Sequence, residues 1–245
     1  MTDRGDQNRA DYYGEYWRAP ELTMSEHLRW KTNLTRRHPR VVSARSVLDV
    51  GCGSGELLRA LRSPGRRLCG VEMADAAVRA LEQQGIEGRA VDLETDRLPF
   101  ADGEFEVVLC YDVLEHIFAP GRLVGEILRV LRPDGAALLC VPNVLNVFNR
   151  LIFLSGEFVD VMDTSHRSED LFSNHIRLFS KALFERFVEV NGFRVIERHY
   201  YFPERFSDSR FKLPPWLARV VVAPRLHERV PSAFALGFLY VCGAA

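Results

Sequence analysis

Val47-Leu48-Asp49-Val50-Gly51-Cys52-Gly53-Ser54-Gly55 is the stretch on which the fold turns. A short apolar run, Ser46–Val50, meets three glycines at alternate positions, and Gly55–Leu61 continues with helical character. Glycine at a strand-to-helix corner lets the backbone turn sharply and lets a ligand come close with no Cβ in the way. The start of a helix adds free N–H groups and partial positive charge, which suits a phosphate or a carboxylate. The spacing Gly-x-Gly-x-Gly differs from the Gly-x-Gly-x-x-Gly of dinucleotide folds. Asp49, ahead of the first glycine, would repel a pyrophosphate but attract an ammonium group. The loop therefore suits a ligand that joins an amino acid to a nucleoside better than it suits a dinucleotide.

Outward from the loop, strand and helix patterns alternate. Leu68–Glu72 reads as a second strand and Ala74–Gln84 as a helix with Val78 and Leu81 on one face. Gly88–Val91 is a third strand, and Glu106–Tyr111, with Val107-Val108-Leu109 as a continuous apolar run, is a fourth. Ala119–Leu131 has the period of a helix, Arg132-Pro133-Asp134-Gly135 reads as a turn, and Ala136–Val141 is a fifth strand. Ser180–Val190 resumes as a helix with Ser180 as its N-cap, and Phe193–Tyr201 and Leu236–Val241 supply strands six and seven. Short apolar strands separated by amphipathic helices imply a buried parallel sheet with helices on both faces. Glu72 ends the second strand about 20 residues past the loop, the distance at which a carboxylate takes ribose hydroxyls in nucleotide folds.

The 245 residues fit one large α/β domain, at roughly 100–200 residues per domain. We expect a helical cap over residues 1–45 and a main domain over 46–245, with lid insertions at about 143–178 and 203–231. With 32 basic and 33 acidic residues the net charge is −1, which gives no electrostatic reason to expect nucleic acid as a partner. The five cysteines are scattered and odd in number, as in buried reduced thiols of a cytoplasmic protein. Met1 to Arg18 shows no apolar core of a secretory signal, and no run reaches the ~20 apolar residues that span a bilayer.

The motif at Val47–Gly55 resembles motif I of class I S-adenosylmethionine (SAM)-dependent methyltransferases, and Gly70-Val71-Glu72 resembles their second motif. Leu98-Pro99-Phe100-Ala101-Asp102-Gly103-Glu104-Phe105 into strand four, Leu114-Glu115-His116 and Leu131-Arg132-Pro133-Asp134-Gly135 follow in the order seen in the subgroup with ubiquinone-biosynthesis, glycan and natural-product O-methyltransferases. The resemblance covers residues 46–142 well and 174–195 more loosely. It implies a Rossmann-like doubly wound seven-stranded sheet, mostly parallel, with the last strand antiparallel and SAM across the strand ends. Carried over by position, Asp49, Gly51, Cys52, Gly53, Gly55, Glu72 and Met73 bind the cofactor, with Glu72 on the ribose. Asp92 and Leu93 then meet the adenine, and Cys110 and Tyr111 lie under the cofactor.

Methyl transfer to oxygen needs alignment and usually a base. His116, after strand four, and His175, before the Ser180 helix, are the catalytic candidates; His166 is a lesser one. Asp112, Glu115 and His116 also offer divalent-ion ligand types, but carboxylates are common at strand ends and no metal is expected. The apolar stretches Val147–Leu154 and Trp216–Val222 suit a lid, a dimer surface or a membrane-interface contact, and with them an apolar or lipid-linked acceptor. A monomer or a homodimer fits equally. Other readings are N- or C-methylation, a non-catalytic SAM-binding protein and, against the loop spacing, an NAD-dependent oxidoreductase.

Overall fold

A computed structural model describes residues 26–154, 175–202 and 225–245. The chain enters through α1 (Glu26–Arg37) and α2 (Pro39–Ser43) and then alternates: β1 (Ser46–Val50), α3 (Glu56–Ala60), β2 (Arg67–Glu72), α4 (Asp75–Glu82), β3 (Glu87–Ala90) and β4 (Phe105–Tyr111). A single 3₁₀ turn, Leu114–His116, leads to α5 (Pro120–Val130), β5 (Leu131–Pro142) and α6 (Val147–Leu154). The rest is α7 (Lys181–Val190), β6 (Phe193–Tyr201), the short α8 (Leu226–Arg229) and α9 (Pro231–Phe234), and β7 (Gly237–Ala244).

The strands form one seven-stranded sheet in the order β3-β2-β1-β4-β5-β7-β6. β1 to β5 pair in parallel, and β7 runs antiparallel between β5 and β6. The last strand is thus antiparallel, as the resemblance implied. Chain order reverses across the sheet between β1 and β4, and ligands of doubly wound sheets bind at the carboxyl ends of the strands at such a switch point.

The apolar runs of β1, β4 and β5 are buried on both faces, as parallel strands covered by helices must be. One face packs on α5 and α7 through Leu123, Ile127, Phe184 and Val188. The other packs on α2, α3 and α4 through Val41, Leu58, Leu61 and Leu81. α5 begins with a proline in its first turn, where a missing N–H costs nothing. Ser180 caps α7 as expected: its side chain accepts the Leu183 N–H at 3.1 Å.

One expectation fails. Arg132-Pro133-Asp134-Gly135 is not a turn before the fifth strand but part of it. β5 starts at Leu131 opposite Phe105, and the register shifts before resuming at Val107 opposite Ala136. Residues 132–134 are exposed in that irregularity, so proline and Asp-Gly are tolerated where ladder bonds are interrupted. Strand three also lies one residue earlier than read, and strand seven runs on to Ala244. Residues 1–25 of the expected cap, His166 and Trp216–Val222 lie outside the described residues. Among the described residues, no helix is long and apolar enough to cross a membrane.

Candidate functional site

The glycine loop lies at the carboxyl end of β1, and all three glycines have positive φ: 73° at Gly51, 50° at Gly53 and 78° at Gly55. Packing demands glycine as well. A Cβ on Gly51 would lie 2.4 Å from Val113 Cγ2, and one on Gly55 2.2 Å from Leu81 Cδ2. Four of the loop's N–H groups, however, are bonded within the protein. Those of Gly51 and Cys52 both go to the Val71 carbonyl, at 2.9 and 3.1 Å, and that of Gly55 goes to the Cys52 carbonyl at 3.0 Å. The Gly53 N–H donates to Glu72 Oε2 at 3.0 Å. The expectation that loop amides hold a ligand carboxylate therefore meets four amides already taken by the protein. The Cys52 side chain packs into the core under the loop.

Glu72 is fixed from its own side too, with Oε1 accepting the Met73 N–H at 2.9 Å. Burial raises its pKa, and the backbone N–H bonds oppose the rise. Asp49 is 4% exposed beneath the loop. Burial, reinforced by Glu72 and opposed by Lys31, pushes its carboxyl up to about 7. Asp92 is shaped by its own turn: Oδ1 accepts the Glu94 N–H at 2.9 Å. Leu93 beside it is buried, and its carbonyl accepts from Arg122 at 2.6 Å. Cys110 is fully buried in the α5–α7 core. The Tyr111 side chain turns to the N-terminal helix, where its hydroxyl and Thr35 Oγ1 lie 2.7 Å apart.

That helix brings in a residue that sequence reasoning missed. Lys31 on α1 is paired with Asp112, just past β4, and its side chain is only 6% exposed. Its ammonium also stands 5.8 Å from the centre of the Tyr111 ring. Asp112 has a left-handed φ of 54°. Burial pushes its pKa up, but Lys31 and then His27 outweigh that and hold it at about 2. Burial likewise disfavours the Lys31 ammonium, yet Asp112 raises its pKa above the ordinary value. His27 Nδ1 lies 3.9 Å from Asp112 Oδ2, and its ring stacks on Tyr201 with centres 4.5 Å apart. Burial first, and then Lys31, lower His27 to about 4.

The two predicted catalytic histidines, distant in sequence, do meet. The His116 and His175 rings stand edge to face with centres 4.3 Å apart. The contact is built by backbone: Ile176 and Arg177 N–H groups both donate to the Glu115 carbonyl, at 2.9 and 3.0 Å. The Glu115 side chain is fully buried, and burial, then Asp112, raise its pKa well above the usual range. Among the described residues, ligand atoms of Glu115, His116 and His175 lie within 4.8 Å of one another, as do those of His27, Asp112 and Cys140. In the second group the Lys31 ammonium already sits on Asp112 and opposes a metal cation there.

Sheet order, loop and acidic strand end together define the class I SAM-dependent methyltransferase fold. Residues 48–139 match the family model described as a methyltransferase domain, and the donor that such a domain uses is S-adenosylmethionine. A SAM-dependent methyltransferase of Archaeoglobus fulgidus shares the fold with a TM-score of 0.61 at 17% identity, over 95% of this chain and 98% of that one. An uncharacterized methyltransferase of Mycobacterium sp. (strain KMS) is 42% identical over 95 residues, 39% of this chain and 38% of the relative. A ubiquinone biosynthesis O-methyltransferase of Thiobacillus denitrificans is 34% identical over 113 residues, 44% of this chain and 47% of the relative. The chain thus spans less than half the length of these curated relatives.

Proposed function

We propose that the chain moves a methyl group from S-adenosylmethionine to an oxygen of a small-molecule acceptor, of apolar, glycan or natural-product type. The observation that carries this reading is the bond from the Gly53 N–H to Glu72, which sets a carboxylate at the end of β2 beside the loop that ends β1. The residues present fit the donor. Glu72 keeps oxygen lone pairs for ribose hydroxyls, Asp49 offers a carboxyl to an ammonium group, and Asp92 with Leu93 borders the end of β3, on the adenine side. When bound, SAM supplies an electrophilic methyl on a sulfonium.

The chain's own part is alignment, which is worth roughly 7–11 kcal/mol when reacting atoms are held in line. His116 and His175 stand beyond β4, on the acceptor side of the switch point, and either imidazole can take the proton that an acceptor hydroxyl loses. Leu151 and Leu154 on α6 are 60% and 82% exposed, an apolar surface that supports an apolar acceptor. The Thiobacillus relative's name supports oxygen as the accepting atom.

A mass-spectrometric acceptor screen with deuterated-methyl SAM tests the reading. The expected product carries a trideuteromethyl group on oxygen. A label on nitrogen or carbon would correct the atom, and no labelled product from any acceptor class would leave a SAM-binding protein without turnover.

A further inference from the structure

Two arginines of α5 hold carbonyls of the segment that follows β3, and their settings are opposite. Arg129, in the last turn, donates to the Leu98 and Phe100 carbonyls at 2.9 and 2.8 Å. The same guanidinium bonds Glu126 and Asp102, so each of its nitrogens has an acceptor. The helix dipole favours a cation at that end, and Arg129 is a stabilising tie. Arg122 stands in the first turn, which holds no acid and where the dipole disfavours a cation. Its Nε–H is buried with no partner among the described residues, a further local cost. Its other nitrogens donate to the Leu93 and Asp96 carbonyls at 2.6 and 2.7 Å. A side chain kept against two local costs points to a demand other than stability.

The turn that Arg122 holds is the one that carries Asp92. Each acid of that turn takes a backbone N–H. Asp92 Oδ1 accepts from Glu94 at 2.9 Å, and Asp96 Oδ2 accepts from Asp92 at 3.0 Å. Glu94 Oε1 accepts from Phe118, beyond β4, at 2.7 Å. The backbone of the turn thus aims the Asp92 carboxylate, and Arg122 fixes both sides of that backbone to α5.

We propose that Arg122 is a positioning residue for purine recognition: it sets the turn at 92–96 so that Asp92 accepts from an exocyclic amino group, and the site thereby selects a 6-aminopurine over a 6-oxopurine. This rests on the reading above that the end of β3 takes the adenine of the methyl donor. An oxo group in place of the amino group brings an acceptor to a carboxylate and leaves that carboxylate unpaired, which a site built for a donor rejects.

Calorimetry with S-adenosylhomocysteine (SAH) and S-inosylhomocysteine, which differ at that one group of the purine, tests it. Wild type should bind SAH about tenfold or more tighter than the inosyl analogue. Arg122→Met should bring the ratio to within about twofold by weakening SAH, with the inosyl analogue within about twofold of its wild-type affinity. Arg122→Lys keeps the charge and can bond one carbonyl; its ratio should be intermediate, and it serves where the Met variant does not fold. Arg129→Met is the control for a purely structural tie: it should lower the denaturation midpoint and leave the ratio as in wild type. The proposal is overturned if the Arg122 variants keep the wild-type ratio, whether both ligands weaken alike or neither does. It is overturned as well if Arg129→Met lowers the ratio as far as Arg122→Met. Failure of the underlying reading shows in wild type itself: equal affinity for the two ligands removes Asp92 from the amino group, and binding of neither removes the methyl donor, and each takes the proposal with it.

Discussion

Glu72 holds Gly53: the carboxylate at the end of β2 accepts the amide of the loop that follows β1, at 3.0 Å, while its other oxygen accepts the Met73 amide at 2.9 Å. The side chain is thus both a structural clamp and the expected ribose acceptor. Glu72→Ala leaves the Gly53 amide without its carboxylate, at a cost of about 1–3 kcal/mol in stability. It should also weaken SAH by about tenfold or more. Chemical denaturation and calorimetry read the two effects separately; a variant that keeps full SAH affinity would remove Glu72 from the site.

Asp49 makes stability and binding depend on pH. Its folded pKa of about 7 lies above the ~3.9 of an unfolded aspartate. Between those values the folded chain keeps a proton that the unfolded chain has lost. The contribution of this group is therefore full below about pH 4 and falls as pH rises through about 7. Asp49→Asn should lose less stability than wild type over that range in thermal melts. An ammonium bound beside Asp49 favours its ionised form, so SAH binding near neutral pH should release a proton. Calorimetry in buffers of different ionisation heat should show this for wild type and not for Asp49→Asn.

Gly51 and Gly65 have the same φ of 73°, but a Cβ on Gly51 strikes Val113 and one on Gly65 meets nothing within 4 Å. Gly65→Ala should cost only the left-handed backbone penalty, about 1–2 kcal/mol. Gly51→Ala adds a clash of about 1–3 kcal/mol. Val113→Ala in the Gly51→Ala background should recover part of the second loss and none of the first. Urea denaturation of the three variants and wild type checks this, and equal costs at the two glycines would refute the packing argument.

His116 and His175 touch, so they should behave as one unit. Replacing either by Gln is expected to lower kcat about 10²–10⁴-fold with SAH affinity unchanged. The double variant should be no worse than the more damaging single one, since groups that act together are not additive. Independent, multiplying losses would assign them separate roles.

Much of this was readable in order along the chain. Val107-Val108-Leu109 and the Leu123, Ile127 spacing gave β4 and α5, because burial on two faces and on one face leave different periods. The corner at Gly51–Gly55 was equally legible, though the use of its amides was not: Val71 and Glu72 take three of them, and pairing across strands has no local signal. Lys31 was hidden for the same reason. In Glu26–Arg37 it reads as one more charge on a polar helix, and only the docking of α1 brings it to Asp112, 81 residues away. Arg132–Gly135 misled because proline and Asp-Gly mark a turn in sequence, whereas an interrupted ladder accommodates them inside β5.

The central claim is that the crevice between β1 and β4 binds an amino-acid-linked nucleoside for methyl transfer. Calorimetric titration of the purified chain with SAH, and in parallel with NADH, tests it most directly. The account predicts saturable one-to-one binding of SAH, weakened in Glu72→Ala, and no binding of NADH. Binding of NADH with none of SAH would contradict it.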